Sequence, residues 1–228
     1  LDKITDKIIN YSGRPPVEEL RKAAVLIAVT DSDSPELIYT LRSNKVGSHG
    51  GEVSFPGGML EDEDSSLEET ALRESEEETG LDRAKVNILG PIDTVVSRFN
   101  ISVTPYVGII PDDLELNDNS DEIEACFRVP LSFLLQDRRH RNDEINRNGD
   151  KFFMPAYEYN SYIIWGLTAM MTVDFLNIAF SELSKLTSTT FSIPFFLIIT
   201  GTPTYIPLIP YSPFNIAAHG NTFFLSFK

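Results

Sequence analysis

Several common features are scarce in this 228-residue chain, and each scarcity excludes a class of protein. The single cysteine, Cys126, excludes an internal disulfide framework and a cysteine-rich zinc module. No run of 18 apolar residues occurs, so the sequence predicts no membrane-spanning helix. Basic residues number 19 against 34 acidic ones, a net charge of −15, so a broad surface for nucleic acid or anionic membrane is not expected. Because the chain begins with Leu1 rather than Met, we expect a processed or truncated N-terminus.

The order of apolar and polar segments predicts an α/β fold. Residues 23–29 form a continuous apolar run typical of a buried strand, and residues 37–41 follow after a turn as the second strand of a hairpin. Strands mixed with helices, and then flanked by them, indicate an α/β sandwich around a mixed sheet. The other expected elements are strands at 53–55, 86–89, 93–96, 103–110 and 124–129, helices at 17–21 and 165–183, and a loop at about 137–151.

Acidic residues are concentrated in one window of the chain. Residues 61–82 hold eleven acidic residues and a single base, Arg73. Apolar residues are interleaved with them, so the window reads as a folded helix rather than as a charged tail. Ser66 and Glu69 match a capping box at its start, and Gly80 supplies a left-handed residue at its end.

Three carboxylates share one face of this predicted helix. Glu74, Glu77 and Glu78 stand at positions i, i+3 and i+4, within a 100° arc, where like charges repel. A divalent cation would relieve the repulsion, and hard oxygen ligands suit Mg²⁺ or Mn²⁺. Carbonyl groups of the preceding Gly57-Gly58 turn could add a further ligand. From spacing alone, a solvated acidic helix face remains an open alternative.

The same residues resemble a known motif. Arg73-Glu74-x-x-Glu77-Glu78-x-Gly80-Leu81, preceded by Gly58, resembles the Nudix box, the loop-helix motif of hydrolases that act on nucleoside diphosphates linked to another group. Asp64 stands where the box has a glutamate, eight residues instead of seven separate it from Arg73, and Ser75 replaces a hydrophobic residue. The metal-binding half is intact, so the resemblance implies a Nudix-type α/β/α sandwich around a mixed sheet.

Two upstream segments are similar to the coenzyme A diphosphatase branch of that family. Residues 37–43 match an L-L-x-T-x-R-S segment, and residues 51–58 match a G-x-V-x-F-P-G-G run, although Gly47 stands where the branch usually has arginine. The resemblance covers about residues 20–183. It implies metal-dependent hydrolysis of coenzyme A or its acyl derivatives to 3′,5′-ADP and (acyl-)4′-phosphopantetheine.

The resemblance also implies roles for individual residues. Coenzyme A is strongly anionic, so binding it to an acidic protein calls for local basic residues, and water activation calls for a carboxylate outside the box. Arg73 is expected to orient Glu77 rather than to touch substrate. The candidates are Glu74, Glu77, Glu78 and Gly58 as metal ligands, Glu74, Glu78, Arg73 and Glu122 as catalytic residues, and Arg42, Lys45 and Arg98 as substrate-binding residues.

Two other functions stay open at this stage. The substrate could be another nucleoside diphosphate derivative such as ADP-ribose, or the chain could be a non-catalytic Nudix-like binding module. No nucleic-acid partner is expected, and the sequence does not indicate an oligomeric state.

The end of the chain differs from the rest. Residues 187–227 contain no Asp, Glu, Lys or Arg, and their frequent prolines disfavour helix and central strand. We therefore expect an N-terminal segment at 1–22, a Nudix hydrolase domain at 23–186 and a poorly folded hydrophobic tail at 187–228. A form ending at Ser184-Lys185-Leu186 would carry a peroxisomal address, whereas the chain with the tail is expected in the cytosol.

Overall fold

The structure, a computed structural model, describes residues 1–44, 50–117, 121–136, 139–147 and 150–180. Eight strands form the larger sheet: β1 (Arg21–Asp31), β2 (Glu36–Arg42), β3 (Val53–Ser54), β4 (Gly57–Met59), β5 (Asn87–Pro91), β6 (Val95–Val96), β7 (Ile101–Pro111) and β8 (Ile123–Pro130). Three form the smaller sheet: β9 (Arg139–Arg147), β10 (Asp150–Tyr159) and β11 (Tyr162–Ile164). The helices are α1 (Asp2–Ile9), α2 (Leu67–Thr79), α3 (Leu131–Leu135), α4 (Gly166–Phe180) and a 3-10 helix at Arg83–Lys85.

Strand β1 is the centre of the larger sheet. It pairs antiparallel with β2 through Val29 and Leu37, which confirms the predicted hairpin. On its other side it pairs parallel with β7 along its whole length, from Arg21 opposite Ile101 onwards. Strand β4 also pairs with β1, antiparallel. Gly57 and Gly58, expected as a turn, therefore belong to a strand that lies against the central strand. The sheet is therefore mixed, as the sequence predicts.

The side chains of β1 alternate between two hydrophobic cores, one on each face of the sheet. Leu26 packs in the core that contains Ala71 of α2. Ile27 packs in the larger core, which contains Phe175 of α4 and Ile8 of α1. Because helices cover both faces, the expected α/β/α layering is confirmed.

The N-terminal segment differs from its prediction. Residues 17–21 form no helix: the Leu20 N–H donates to the Val17 carbonyl in a single turn, and β1 begins at Arg21. Instead α1 forms at Asp2–Ile9, where Ile4 and Ile8 are spaced one helical turn apart and are both buried in the larger core. These two isoleucines were the sequence signal for this helix.

The expected loop at 137–151 is also wrong, because two strands occupy most of it. β9 and β10 pair antiparallel, with Arg147 opposite Asp150 at one end. The dipeptide Asn148-Gly149 between them is a strong hairpin signal in sequence. Charged residues on both sides obscured the alternation expected of strands.

The helix predicted at 165–183 is described from Gly166 to Phe180 as α4. The tail at 187–228 lies outside the described residues, so its expected lack of structure and the domain boundaries stay predictions. No helix in the described part of the chain is long and apolar enough to cross a membrane.

A buried carboxyl group on α4 lies outside the predicted site. Asp174 is buried, and within the described residues its Oδ2 has no hydrogen-bond partner. Burial, reinforced by the negative charge of Asp93, raises the pKa of Asp174 from 3.8 to about 7, although the positive charge of Arg14 opposes the shift. The guanidinium of Arg14 donates through Nη2 to Oδ2 of Asp93 at 2.8 Å, and the backbone N–H of Arg14 donates to Oδ1 at 2.7 Å. The Arg14 cation is therefore paired with Asp93 rather than with Asp174.

This carboxyl group predicts a pH dependence of stability. A raised folded-state pKa stabilises the fold fully below the unfolded value, and the contribution is lost as the pH rises through about 7. Between pH 5 and pH 8 we expect the free energy of unfolding to fall by about 2–3 kcal/mol more in the wild type than in Asp174→Asn. Chemical denaturation across this range measures the difference. Exposed Asp113→Asn is the control and should follow the wild type, whereas parallel curves for Asp174→Asn would contradict the prediction.

Candidate active site

The helix α2 that carries the acidic motif has well-defined ends. The Ser66 hydroxyl accepts from the Glu69 N–H at 3.1 Å, which confirms the N-terminal cap. The Glu69 carboxylate reaches back to the N–H of Ser65, at 2.8 Å, rather than to that of Ser66 as a standard capping box would have it. Gly80 ends the helix with φ +68°, as predicted. Both ends are therefore fixed locally, independently of any ligand.

The three glutamates on the predicted arc differ widely in exposure. The side chain of Glu77 is 61% exposed, that of Glu74 18% and that of Glu78 7%. Thr70, Ala71, Ser75 and Thr79 form the rest of the buried face, and Glu78 lies within it. The arc thus runs from solvent to the sheet, which spacing alone could not reveal.

Glu78 is the carboxylate held most firmly by other elements. Its Oε2 accepts from the Gly57 N–H at 3.1 Å, and its Oε1 lies 3.5 Å from Nη1 of Arg42. Burial raises the pKa of Glu78 to about 7, although both of these contacts favour the charged form. The carboxylates of Glu74 and Glu122 add to the shift. Burial is therefore the main cause of the raised pKa of Glu78.

Arg42 brings a distant candidate into the same site. Its Nη2 lies 3.0 Å from Oε2 of Glu122, whose side chain is 58% exposed. The backbone supports this contact, because β2 pairs antiparallel with β8 and the Ser43 N–H donates to the Glu122 carbonyl at 2.7 Å. One guanidinium therefore links a buried glutamate of α2 to an exposed glutamate beside β8.

Arg73 has a different main partner from the one expected. Its Nε and Nη2 donate to the two oxygens of the nearly fully buried Asp64, at 2.8 and 2.9 Å. Its Nη1 lies 2.9 Å from Oε1 of Glu74 and 3.5 Å from Oε2 of Glu77. The ion pair with Glu77 is thus present but is the longest of these contacts. The hydrogen bonds from Arg73 hold the pKa of Asp64 well below its usual range.

Asp64 is a structural residue that the motif spacing marked. It occupies the place of the box glutamate, and it also accepts from the Glu61 N–H at 3.1 Å and from the Thr70 hydroxyl at 2.9 Å. Together with the bidentate contact to Arg73, these bonds fasten the loop before α2 to the helix. The one-residue insertion therefore leaves the loop anchored.

Gly58 of β4 lies directly against an acidic side chain of α2. A Cβ placed on Gly58 would overlap the carboxyl group of Glu74, so only a glycine leaves that group its present position. Burial raises the pKa of Glu74, against the opposing charge of Arg73. Carboxyl groups that are partly desolvated, such as these beside β4, are suited to bind a hard divalent cation.

The carboxylates do not already converge as a cation cage. Within the described residues, no three His, Cys, Asp or Glu side chains form a group that could hold a metal ion as they stand. Glu74 and Glu77 are engaged by Arg73, and Glu78 by Arg42. The donor chemistry fits Mg²⁺ or Mn²⁺, but binding requires these side chains to exchange partners.

Not all candidate substrate-binding residues join this site. Lys45 lies outside the described residues. Arg98 lies between β6 and β7, exposed, with its guanidinium carbon 4.7 Å from the ring centroid of Phe99. In the described part of the chain Arg98 has no ion pair with the α2 carboxylates. Arg42 is thus the predicted substrate-binding residue that the structure brings to them.

Comparison with known proteins gives a consistent result. The family described as NUDIX domain matches residues 20–148. A Photorhabdus laumondii protein named "Uncharacterized Nudix hydrolase NudL" is 39% identical over 159 residues, covering 68% of this chain and 85% of the relative. A protein of the same name from Escherichia fergusonii is 40% identical over 149 residues, covering 65% and 78%. A solved C. elegans Ap4A hydrolase aligns with a TM-score of 0.43 and 16% identity, over 50% of this chain and 83% of that one.

The family match spans more than half of the chain and includes the loop, the helix α2 and the strands that position them. The relatives share about two fifths of their residues with it over most of their own length. This protein therefore belongs to the Nudix hydrolase family, enzymes that hydrolyse pyrophosphate bonds.

Proposed function

We propose that this Nudix hydrolase cleaves the diphosphate of coenzyme A or its acyl derivatives, giving 3′,5′-ADP and (acyl-)4′-phosphopantetheine. One observation carries the proposal. The two segments similar to the coenzyme A branch, residues 37–43 and 51–58, both reach Glu78: Arg42 through its guanidinium and Gly57 through its N–H. Residues that mark a substrate class are expected beside the groups that cleave it, and these two segments lie there.

The acidic residues supply the proposed chemistry. Glu74, Glu77 and Glu78 are the proposed ligands, with the Gly58 carbonyl, for the divalent ions that Nudix hydrolases generally use. Such ions neutralise phosphate oxygens and lower the pKa of bound water. Glu122 is the proposed general base, because its exposed carboxylate lies at the solvent side of this cluster and can accept a proton from the attacking water.

The two arginines have different proposed roles. Arg42 presents a planar guanidinium beside the carboxylates and can bind two phosphate oxygens at once. Arg73 is a proposed positioning residue, since its guanidinium is already committed to Asp64 and Glu74. Arg98 remains a proposed contact for a more distant part of the substrate.

A product assay tests the proposal. The protein is incubated with coenzyme A, acetyl-coenzyme A and ADP-ribose, each with Mg²⁺ or Mn²⁺, and products are separated by chromatography and identified by mass. We expect 3′,5′-ADP from both coenzyme A substrates. Cleavage of ADP-ribose without cleavage of coenzyme A would support the alternative substrate class. Binding of either substrate without cleavage would favour a non-catalytic module.

Single variants should show which part of the substrate each basic residue contacts. If Arg42 and Lys45 contact the phosphates of coenzyme A, the kcat/KM for dephospho-coenzyme A should be about 10-fold lower than that for coenzyme A. Changing both residues to alanine should remove most of this preference for coenzyme A. Because Arg42 contacts Glu78, we expect Arg42→Ala alone to slow both substrates equally and Lys45→Ala to account for the preference. The kcat/KM ratio of the two substrates measures this.

The control for this experiment is Lys22→Ala, which removes a lysine paired with Glu18 at 2.7 Å. It should leave the substrate ratio unchanged. An unchanged ratio in Lys45→Ala as well would show that the 3′-phosphate is recognised elsewhere.

The peroxisomal location has no support from the relatives, which are bacterial. Residues 184–186 lie outside the described residues, so the hypothesis rests on their sequence alone. The hypothesis requires a second transcript whose coding region ends at Leu186, which sequencing of the messages would detect. Every message running through to Lys228, together with failure of a chain truncated after Leu186 to enter peroxisomes, would contradict it.

A further inference from the structure

Arg42, a proposed phosphate-binding residue, also contacts two carboxylates of the candidate active site. Its guanidinium lies between a buried glutamate and an exposed one, 3.5 Å from Glu78 and 3.0 Å from Glu122. We propose that Arg42 is an exchangeable internal counter-ion. It holds Glu78 and Glu122 in the metal-free protein and is released toward the anionic substrate when a divalent ion takes Glu78. This inference rests on the proposed function and adds an order of events to it.

The oxygens of Glu78 are already divided between two donors. Oε2 accepts from the Gly57 N–H, which belongs to β4 and cannot leave without unpairing that strand from β1. Oε1 faces Nη1 of Arg42. A cation that approaches Glu78 therefore competes with the Arg42 side chain for Oε1.

The two arginines of the site differ in how easily they can be displaced. Arg73 makes a bidentate pair with buried Asp64 and also donates to the Met59 carbonyl at 3.3 Å. It donates to Glu74 as well, at 2.9 Å, so these three partners hold it in place. Arg42 has one long contact to Glu78 and one contact to Glu122, an exposed residue whose attraction is screened by water. Arg42 is therefore the cation that can move.

Displacement has a definite consequence for metal affinity. If Arg42 competes with the ion, removing it should tighten ion binding, because the ion no longer has to break the Arg42–Glu78 contact. If Arg42 instead serves as a fixed brace, removing it should leave affinity unchanged or weaken it, because Glu78 and Glu122 would lose their alignment. The two roles predict opposite signs.

Released from Glu78, the guanidinium remains tethered at the end of β2 beside the carboxylates. It then offers paired N–H donors to phosphate oxygens at the point where the diphosphate must bind. Metal binding and substrate binding are thereby linked through one side chain, and each favours the other.

Mn²⁺ titration by calorimetry, without substrate, tests the inference on the full chain. We expect Arg42→Gln to bind Mn²⁺ about 3- to 10-fold more tightly than the wild type. Arg83→Gln is the matched control, since Arg83 pairs with Glu76 of α2, which is not a proposed ligand. This substitution should not alter Mn²⁺ affinity. Thermal unfolding in chelator should show Arg42→Gln less stable than the wild type, with a larger rise in Tm on adding Mn²⁺.

A second variant guards against loss of the metal-free fold. Arg42→Lys keeps the charge but cannot bridge two carboxylates with a planar fork, so we expect an intermediate Mn²⁺ affinity. Unchanged or weaker Mn²⁺ binding in both variants, with both folded, would overturn the inference. Because these readouts need no substrate, tighter Mn²⁺ binding without coenzyme A cleavage would overturn the proposed function alone.

Discussion

Replacing Glu78 with glutamine is expected to lower turnover by about two to three orders of magnitude while leaving the fold intact. Glutamine keeps the size of the side chain and an oxygen to accept from the Gly57 N–H. It removes the negative charge that a divalent ion needs, a loss of about 3–4 kcal/mol in transition-state stabilisation. Turnover of coenzyme A under saturating Mg²⁺ or Mn²⁺ measures it.

The same variant should be more stable than the wild type when metal is absent. The pKa of Glu78 is raised to about 7, so above that pH the folded protein carries a carboxylate that it disfavours. Thermal unfolding at pH 8 in chelator should therefore show a higher Tm for Glu78→Gln. The control is Glu76→Gln, because Glu76 is on the same helix as Glu78 but pairs with Arg83 beyond the end of that helix. This variant should keep wild-type turnover. Near-normal turnover in Glu78→Gln would contradict the assignment of Glu78 as a metal ligand.

Alanine at the two glycines of β4 should give two different phenotypes, a loss of stability at Gly57 and a loss of turnover at Gly58. At Gly57 the backbone has φ +153°, and an added Cβ would overlap the Ala24 carbonyl oxygen and lie 2.6 Å from Cα of Val25. Both neighbours are main-chain atoms of the central strand and cannot withdraw. We expect Gly57→Ala to cost at least about 3 kcal/mol in the free energy of unfolding.

Gly58→Ala instead meets a side chain. The added Cβ overlaps the carboxyl group of Glu74, which can rotate away at little cost to the fold. We expect a stability loss below about 1 kcal/mol but a 10- to 100-fold loss of turnover, roughly the cost of misplacing a catalytic group. Denaturation and turnover measured on both variants separate the two effects. Equal stability losses in Gly57→Ala and Gly58→Ala would contradict this distinction between the two positions of β4.

Local patterns predicted the elements that build the site. The apolar run at residues 23–29, the turn after it and the capped acidic helix are all set by neighbouring residues, and the structure has each of them. Ser66 and Gly80 fix the two ends of α2 because cap chemistry depends on positions within one turn. The mixed sheet followed from the order of these elements.

Contacts between segments that are distant in sequence could not be predicted from local patterns. The link from Arg42 to Glu122 depends on β2 pairing with β8, and no local pattern specifies which strands become neighbours. The bidentate pair of Arg73 with Asp64 was also missed, although the motif spacing marked Asp64. Burial of Glu78 could not be predicted either, because an arc on a helical wheel does not state where the sheet surface ends.

The pairing of β1 with β7 bears on the route by which this chain folds. Arg21 lies opposite Ile101 and Asp31 opposite Pro111, so the central pair joins segments far apart in sequence. Closing so long a loop between β1 and β7 is slow because of its entropic cost, and α2 lies within this loop. Gly57 docks on β1, and Arg42 meets Glu122 only once β8 is in place. The link from the α2 carboxylates to Glu122 is thus completed late, so removing it would hasten unfolding more than it would slow folding.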